Sequence, residues 1–397
     1  MNAKRLVLIL GLAGFIVMAD NWVVSPILPA IAASLHVAPA SAGVLIAAYM
    51  LPFGLFQLVY GPLADRFGKL KVITVTLALF TVATGLCGLG LGLADLGAYR
   101  ALTGLFAAAT MPISLALIGD LVPMAERQTA IGTFMGISFL GQALSMAIGG
   151  TIAYLVNWRG VFISYAGLAA IITVVLIVST RRLSGQVTRR SRGSVLAPYA
   201  QLLGHGPSLR TYLLIVFEGI FILGSFSYLG ANISQVFHFN YLGIGMIMTG
   251  FGVGAVLAGR ISGQIVERTG RKRLIAGGLF LGAVADLIVA AFSGSLVLAV
   301  LAVFLLGLGF MLAHSTLLTL ATEFARQARG VAMSMVTFCF MVGGAVGTGL
   351  GGRLITAHGY PGYFTLYGVL LLALSLAGLV VIAEELEEGE AAVVVGR

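Results

Sequence analysis

The chain has 397 residues, of which 59% are apolar and only 9% are charged. A soluble domain carries about 25% charged residues, so this composition excludes a soluble globular protein and predicts an integral membrane protein. The formal charge of +9 comes from bases that lie between the apolar runs, so it does not indicate nucleic-acid binding. The apolar runs are near the ~20 residues that a helix needs to cross a bilayer. They do not alternate as the strands of a membrane β-barrel would.

Twelve such runs follow one another, and we number them spans 1 to 12. The first run follows Lys4 and Arg5 and is interpreted as an uncleaved span rather than a signal peptide, because no soluble domain comes after it. The predicted spans cover residues 6–31, 41–62, 71–92, 96–119, 128–154, 160–179, 211–236, 243–265, 273–292, 296–321, 330–355 and 362–383.

The bases are distributed unevenly between the two ends of the spans. Twenty of the 23 Lys and Arg residues fall at one side, and by the positive-inside rule that side is cytoplasmic. We therefore expect a multi-pass protein of a bacterial-type inner membrane with both termini in the cytoplasm. The stretch 180–210 has six arginines and no acid, and it predicts a cytoplasmic linker with topogenic charge or, alternatively, an anionic-lipid or regulatory contact. The predicted units are a six-helix bundle at 1–179, the basic linker at 180–210, a second six-helix bundle at 211–383 and a cytoplasmic tail at 384–397.

One charged loop occurs twice. Residues 61–71 read GPLADRFGKLK and residues 263–273 read GQIVERTGRKR, a shift of 202 positions. The same shift places Arg127 on Arg329. A constant shift over some hundred residues indicates that the chain contains two copies of one unit.

The repeated loop is typical of a gate. Gly61 allows neighbouring backbones to approach closely, Asp65 is placed to meet the positive N-terminus of a helix in the other bundle, and Arg66 can pair with a carboxylate. Such contacts form in one conformational state and break in the other; the alternative is a loop that only supplies positive-inside charge. The predicted gating residues are Gly61, Asp65, Arg66, Gly68 and Lys69 with Gly263, Glu267, Arg268, Gly270 and Arg271.

Acidic residues inside apolar runs are candidate functional groups. Asp20 lies about 22 Å along a helix from Arg5, in the bilayer interior, where a carboxylate is costly and functional by default. It is a candidate proton carrier or cation anchor, with a capping or packing role as the alternative. Glu218 in span 7 is a second candidate proton-coupling group, unless it lies at an inner rim that water reaches. Asp286 in span 9 is a weaker candidate.

Polar and aromatic stripes predict the wall of a substrate cavity. They lie in spans 2, 5 and 7, although aromatic stripes at this spacing also occur where helices pack together. His314 is the one histidine well inside a span, and it titrates near neutrality unless a hydrogen bond holds it. The predicted cavity residues are Tyr49, Phe53, Gln57, Ser138, Gln142, Ser225, Tyr228, Asn232 and His314. We find no metal-ligand spacing, no cofactor motif and no nucleophile–base constellation, so we expect neither a cofactor nor an enzyme.

Several motifs together resemble the major facilitator superfamily, and within it the twelve-span drug:proton antiporters. The span count and the loop at 61–71 are two of these features. A motif of span 4 in the antiporters is similar to Arg100-x-x-x-Gly104-x-x-Ala107-Ala108. Two further motifs are similar to Asn157-Trp158-Arg159-x-x-Phe162 and to Asp20 with Pro26-x-x-Pro29. The resemblance covers essentially the whole chain. It implies an all-α membrane protein with twelve transmembrane helices in two pseudo-symmetric six-helix bundles. It also implies a monomer, a peripheral position for span 9, and a pairing of Arg100 with a span 1 group such as Asp20 rather than snorkelling to the interface.

One family signature is incomplete. Antiporters of this group carry GPxxGG in span 5, whereas residues 145–150 read SMAIGG. Proline changes how a helix bends and packs, so the direction of transport stays open.

The predicted function is proton-coupled secondary active transport, namely efflux by antiport of a small apolar or amphipathic compound. No Gly-rich loop with Lys-Ser/Thr for binding ATP is present. The alternatives are a sugar or metabolite transporter or a lysolipid carrier on the same scaffold. The expected partners are a small-molecule substrate, protons and membrane lipids, with no nucleic acid.

Overall fold

The computed structural model describes residues 3–180, 197–292, 294–325 and 329–382, and these residues form helices and connecting turns without a strand. Eleven of the described helical segments are long and apolar enough to cross a membrane. The last of them spans 53 residues and contains the non-helical residue Gly359 (φ 69°, ψ 176°), so it comprises spans 11 and 12. The predicted tail at 384–397 and most of the predicted linker lie outside the described residues.

The first half contains six spans, and spans 1 and 4 are each broken near the middle. Span 1 consists of Ala3–Trp22 and Val24–Ser34, span 2 of Pro39–Ala42 and Val44–Phe67, span 3 of Lys69–Cys87, span 4 of Leu93–Ala107 and Thr110–Leu121, span 5 of Met124–Leu155, and span 6 of Trp158–Thr180. Span 3 ends five residues earlier than predicted, because three glycines follow Cys87 at alternate positions and do not favour a helix.

Prolines explain the two breaks. A proline in a helix clashes with the carbonyl group four residues earlier and cannot donate to it. Pro26 stands four residues after Trp22, where the first helix of span 1 ends, and Pro112 stands four residues after Ala108, which separates the two helices of span 4. Both spans are therefore interrupted near the middle of their length, and Asp20 lies two residues before the break in span 1.

The second half repeats this arrangement. A short helix, Ala197–Gly204, precedes span 7, which consists of Gly206–Glu218, a π-helical segment Gly219–Leu223 and Gly224–Phe237. Span 8 is Tyr241–Thr269, span 9 Arg271–Ala291, span 10 Leu296–Glu323, and spans 11 and 12 lie within Arg329–Val381. Pro198 and Pro207 each occupy the second position of a helix, where the missing N–H costs nothing.

Helix packing shows the same duplication. Span 1 packs along span 5, span 2 along span 4 and span 3 along span 6, and the pairs 7 with 11, 8 with 10 and 9 with 12 repeat these contacts. The halves meet through span 2 with span 11, span 5 with span 8, and span 1 with span 7. We call the side that carries the loops 61–71 and 263–273 the motif side, and the other the opposite side.

Candidate functional site

A buried ion pair joins span 1 to span 4. One Nη atom of Arg100 lies 2.7 Å from Oδ2 of Asp20, and the other donates to the backbone carbonyl of Asp20 at 3.3 Å. The side chains of Arg100 and Asp20 are 1% and 0% exposed. Arg100 therefore pairs with span 1, as the family motif implies, and does not snorkel.

Aromatic rings hold the Arg100 guanidinium in place. Its central carbon lies 4.4 Å from the ring centroid of Tyr49 and 5.6 Å from that of Phe162, both within the range of a cation–π interaction. A Cβ at Gly104, one turn after Arg100, would lie 2.2 Å from the carbonyl oxygen of Tyr49. The glycine of the RxxxG motif thus lets spans 2 and 4 approach until Tyr49 covers Arg100, and Tyr49 lies in this buried site instead of lining an open cavity.

A second acid–base pair joins span 7 to span 10. Nδ1 of His314 lies 3.0 Å from Oε2 of Glu218. The Glu218 side chain is fully buried, whereas that of His314 is 18% exposed. Glu218 is therefore not at a water-filled rim, and His314 is the more exposed member of the pair. Oε1 of Glu218 is buried without a hydrogen-bond partner among the described residues.

An aromatic cluster lies between the two pairs. Trp22, two residues after Asp20, has its ring centroid 6.1 Å from that of Phe310, and Phe310 lies 5.1 Å from the His314 ring. The cluster takes rings from spans 1, 7, 8, 10 and 11, namely Trp22, Phe226, Phe251, Phe310 and Phe340. It joins the two halves, and all five rings are buried next to the partly exposed His314.

Asp286 occupies a different environment. Its Oδ2 accepts a hydrogen bond from Ser225 Oγ at 2.6 Å, and its Oδ1 is buried without a partner among the described residues. Both side chains are fully buried between spans 7 and 9 of the second half. Ser225, predicted to line the cavity, therefore contacts span 9 within the bundle.

The remaining predicted cavity residues are also buried in this conformation. Tyr228 donates hydrogen bonds to the carbonyl oxygens of Ala40 at 3.2 Å and Thr348 at 2.9 Å, and so lies between the halves at the opposite side. Ser138 donates to the carbonyl of Phe134 at 2.9 Å. Less than a tenth of each of these side chains is exposed: Phe53, Gln57, Ser138, Gln142, Tyr228 and Asn232. Among the predicted cavity residues, only His314 has a side chain that is more than one tenth exposed.

Glycines close the opposite side between spans 5 and 8. A Cβ at Gly150 would lie 2.5 Å from the Tyr241 carbonyl oxygen, and one at Gly252 would lie 2.7 Å from the Cα of Ala143. Gly132 and Gly263, nearer the motif side, have nothing within 4 Å. The two helices therefore touch backbone to backbone at one end and separate at the other.

Spans 2 and 11 show the same divergence. A Cβ at Gly352 would lie 2.3 Å from the Ala40 carbonyl oxygen, and a Cβ at Gly54 would lie 3.2 Å from the Phe338 carbonyl oxygen. At the motif side, Gly61 and Gly330 have nothing within 4 Å. The halves are thus closed together at the opposite side and spread toward the motif side.

The two motif loops are braced within their own halves. Lys69 pairs with Asp120 at 2.6 Å, and Arg271, its equivalent at the shift of 202, pairs with Glu323 at 2.5 and 2.7 Å. Gly68 and Gly270, which separate the helices, have φ values of 94° and 81°, a region that disfavours other residues.

The bonds between halves that were predicted for the motif loops are not formed here. No ion pair joins Asp65, Arg66, Glu267 or Arg268 to another described residue. This agrees with halves that are spread at the motif side, because the predicted partners belong to the opposite bundle.

Sequence comparison identifies the family. Residues 10–243 and 221–393 match the family model described as Major Facilitator Superfamily. The chain belongs to the major facilitator superfamily. Among curated relatives, the uncharacterized MFS-type transporter YceJ of Bacillus subtilis is 29% identical over 379 residues, which cover 91% of this chain and 92% of the relative. Multidrug resistance protein 2 of the same organism is 26% identical over 387 residues, covering 94% and 95%.

Other members of the superfamily carry different names. The probable sulfoacetate transporter SauU of Cupriavidus necator is 28% identical and covers 92% of this chain and 90% of its own. The nucleoside transporter NupG superimposes with a TM-score of 0.79 at 12% identity over 96% of this chain and all of its own. A bacterial homolog of the human lysosomal transporter Spinster superimposes with a TM-score of 0.73 at 16% identity, covering 96% of this chain and 94% of its own. The all-helical fold of two six-span bundles predicted from the sequence is confirmed.

Proposed function

We propose that this superfamily member is a proton-coupled antiporter that exports a small apolar or amphipathic compound by alternating access. The observation that carries the proposal is the buried Asp20–Arg100 pair in a scaffold whose halves are closed at one side only. An ionised carboxylate inside a membrane bundle is costly and is kept where it has a role in transport. Asp20 can bind either Arg100 as a carboxylate or a proton as an acid, and that exchange is the coupling step we propose.

The apolar rings beside the pair favour an amphipathic substrate. The cluster around Trp22 and Phe310 is apolar and lies where the halves meet, and the guanidinium of Arg100 is already bound by Asp20 and 1% exposed. A strongly anionic solute would need cations that are free to bind it. The likeness to a relative named a multidrug resistance protein over nearly the full chain supports export.

The one-sided packing supports alternating access. Transporters of this kind work by rocking one bundle against the other around a central site. By the positive-inside rule we take the motif side as cytoplasmic, so the conformation described is open to the cytoplasm. In the other state we expect the opposite side to open and the loops around Asp65 and Glu267 to form the bonds between halves that are not formed here. We propose a monomer in the inner membrane, surrounded by lipid.

The first test is transport by protein reconstituted in liposomes with an imposed pH gradient, using ethidium and puromycin as probes. We expect the gradient to drive accumulation by the wild type and by Glu126→Gln, which alters an exposed carboxylate. We expect Asp20→Asn to lose gradient-driven accumulation while it still exchanges labelled for unlabelled probe. Accumulation by Asp20→Asn at the wild-type rate would refute coupling through Asp20.

A metabolite transporter is the second candidate, because a similar relative is named a probable sulfoacetate transporter. A thermal unfolding panel separates the candidates. A ligand at 100 times its Kd stabilises the folded protein by ~2.7 kcal/mol, so the panel would contain ethidium, puromycin, sulfoacetate, nucleosides, sugars and lysolipids. Stabilisation by sulfoacetate, sugars or nucleosides, without effect of ethidium or puromycin, would favour the metabolite transporter.

A further inference from the structure

Besides the partly exposed pairs at the motif loops, the described part of each half has one acid–base pair inside its bundle, and these two pairs join equivalent spans. Asp20 of span 1 binds Arg100 of span 4, and Glu218 of span 7 binds His314 of span 10. Under the duplication, span 7 corresponds to span 1 and span 10 to span 4. The second pair therefore stands in the second half where the first pair stands in the first.

The pairs are nevertheless not copies of each other. At the shift of 202, Asp20 corresponds to Ile222 and Arg100 to Ala302. Glu218 and His314 correspond in turn to Ile16 and Pro112, both apolar. Duplication of the scaffold alone therefore does not explain the second pair. Packing does not require a charged pair at either site, because apolar residues occupy the equivalent positions in the other half.

The second pair lies closer to the motif side than the first. Glu218 stands four residues before the equivalent of Asp20, which is about 6 Å along a helix that starts at the motif side. His314 is 18% exposed, whereas Arg100 is 1% and Asp20 0% exposed. With the halves spread at the motif side, the second pair lies nearer to the open side than the first, and His314 is its more exposed member.

The distance between Nδ1 of His314 and Oε2 of Glu218 fits a hydrogen bond, and we take Glu218 to be ionised in it. An ionised carboxylate only accepts hydrogen bonds, so Nδ1 of His314 is then the donor. Nε2 is then the nitrogen that can take a proton from water. Binding one proton there converts neutral imidazole beside a carboxylate, with a net charge of −1, into an imidazolium–carboxylate pair with no net charge.

Among the described residues, His314 is the base that forms an ion pair with Glu218. Spans 7 and 10 both pack against span 11, whose contribution here is the Phe340 ring, 4.5 Å from the His314 ring. Among the described residues, the side-chain hydrogen bond of Glu218 is the one with His314. No described Lys or Arg forms an ion pair with Glu218.

We propose that Glu218 and His314 form a second proton-exchange site, which is loaded and unloaded from the motif side through His314. This rests on the proposed function, since a second proton has a role only in a proton-coupled carrier. It assigns the carrier one proton site in each half, at two depths, with the second half exchanging its proton in the conformation described. Histidine suits this task because its charge changes in the physiological pH range.

The test is ligand-free and uses the whole protein in detergent. Proton uptake is counted by titration from about pH 8 to about pH 5, together with infrared difference spectra between the two end points. The variants are Glu218→Gln and His314→Gln, which keep size and hydrogen-bonding ability, with His358→Gln as the control because that histidine is exposed. Thermal unfolding verifies that each variant is folded.

We expect His314→Gln to take up about one proton fewer per chain than the wild type over this pH range. His358→Gln also removes one histidine, but an exposed one. Its infrared difference spectrum should therefore keep the carboxylate bands that change when the buried pair gains or loses a proton. Those bands should be absent from both Glu218→Gln and His314→Gln. If His314→Gln keeps the wild-type uptake, or if the carboxylate bands are the same in Glu218→Gln as in the wild type, the second site is refuted.

Transport then separates failure of this site from failure of the proposed function. With ethidium in liposomes, we expect Glu218→Gln to keep gradient-driven accumulation at a reduced level, because Asp20 remains. If the wild type shows no response to the pH gradient, the proposed function fails and the proton site, if the titration finds it, has no part in coupling. If the wild type responds and Glu218→Gln accumulates ethidium equally well, the antiporter stands and the second site does not take part.

Discussion

The buried pair of Asp20 and Arg100 leads to a sharp prediction about stability. Removing one partner of a buried ion pair leaves the other charge uncompensated and costs about 3–5 kcal/mol. The pair is 0% and 1% exposed, so we expect Asp20→Asn and Arg100→Gln each to lower the free energy of unfolding by an amount in this range. The double variant has no charge left to bury and should recover most of that loss.

The two single variants should differ in their pH dependence. In Arg100→Gln the unpaired group is the carboxyl of Asp20, which loses its charge when it binds a proton, so the loss of stability should be present near pH 8 and shrink toward pH 5. In Asp20→Asn the unpaired group is the guanidinium of Arg100, which stays charged throughout, so its loss should be the same at both pH values. Only the variant that keeps Asp20, the partner that can bind a proton, should therefore regain stability as the pH falls.

The assay is reversible unfolding in mixed detergent micelles, monitored at both pH values. Lys69→Gln is the matched control, because it removes a salt bridge with Asp120 whose side chains are 18% and 38% exposed, and exposed pairs contribute about 0–1 kcal/mol. Losses as small as that of Lys69→Gln in both single variants, or equal pH dependence in the two, would refute the assignment of a charged, water-excluded pair.

The helix packing and the remaining buried or bridging acids lead to three further predictions. Gly150→Leu should push spans 5 and 8 apart at the opposite side and shift the conformational equilibrium at least tenfold, about 1.4 kcal/mol, measured as distances between spin labels on the two spans. Gly132→Leu, with nothing within 4 Å of the glycine, should leave those distances unchanged. Asp286→Asn should preserve folding and transport because it still accepts a hydrogen bond, whereas Asp286→Leu should lower the unfolding midpoint. Arg271→Gln should cost about 0.5–1 kcal/mol at low salt and less at high salt, because its bond to Glu323 is partly exposed.

Much of the scaffold was readable from the sequence because membrane helices are long, apolar and bounded by charge. The constant shift of 202 positions predicted two equivalent halves, and the charged residues in apolar runs singled out Asp20, Arg100 and Glu218. These signals depend on composition and order along one chain. They do not depend on how far one helix is shifted along another.

The partner of Glu218 was not predictable in this way. His314 lies 96 residues later, and whether the two meet depends on the relative depth and rotation of spans 7 and 10. Glu218 and Ser225 are seven residues apart, which in a regular helix places them on nearly the same face. Between them lies the π-helical segment Gly219–Leu223, which adds about one residue to a turn and rotates the rest of span 7 by roughly 100°.

That rotation explains why the polar residues predicted to share one stripe of span 7 do not share one face in this conformation. Glu218 contacts span 10, whereas Ser225 contacts Asp286 of span 9. Tyr228, one turn further, contacts the first half at the opposite side. One polar stripe in the sequence therefore serves three different contacts, and the π segment, a feature often found at functional sites, lies where they diverge.

Two other groups of residues were also not predicted, namely buried aromatic residues and carboxylates at the ends of spans. The aromatic cluster next to the candidate site includes Trp22, Phe251 and Phe310. An aromatic residue in an apolar run carries no signal that separates a substrate contact from ordinary packing. Asp120 and Glu323 were missed for a related reason. They lie at the motif-side ends of spans 4 and 10, where a carboxylate is expected in water, and only the folded chain places them against Lys69 and Arg271.

The different bases of the two pairs decide what each pair can do. Arginine holds its charge at every physiological pH, so in the first half only Asp20 can change state, and it does so by leaving or rejoining Arg100. In the second half the base itself titrates, so a proton can arrive without separating Glu218 from His314. The first site therefore couples a proton to the breaking of a contact between spans 1 and 4, whereas the second can load a proton while spans 7 and 10 stay joined. A carrier built this way can exchange a proton at the open side while the pair that holds its first half together remains intact.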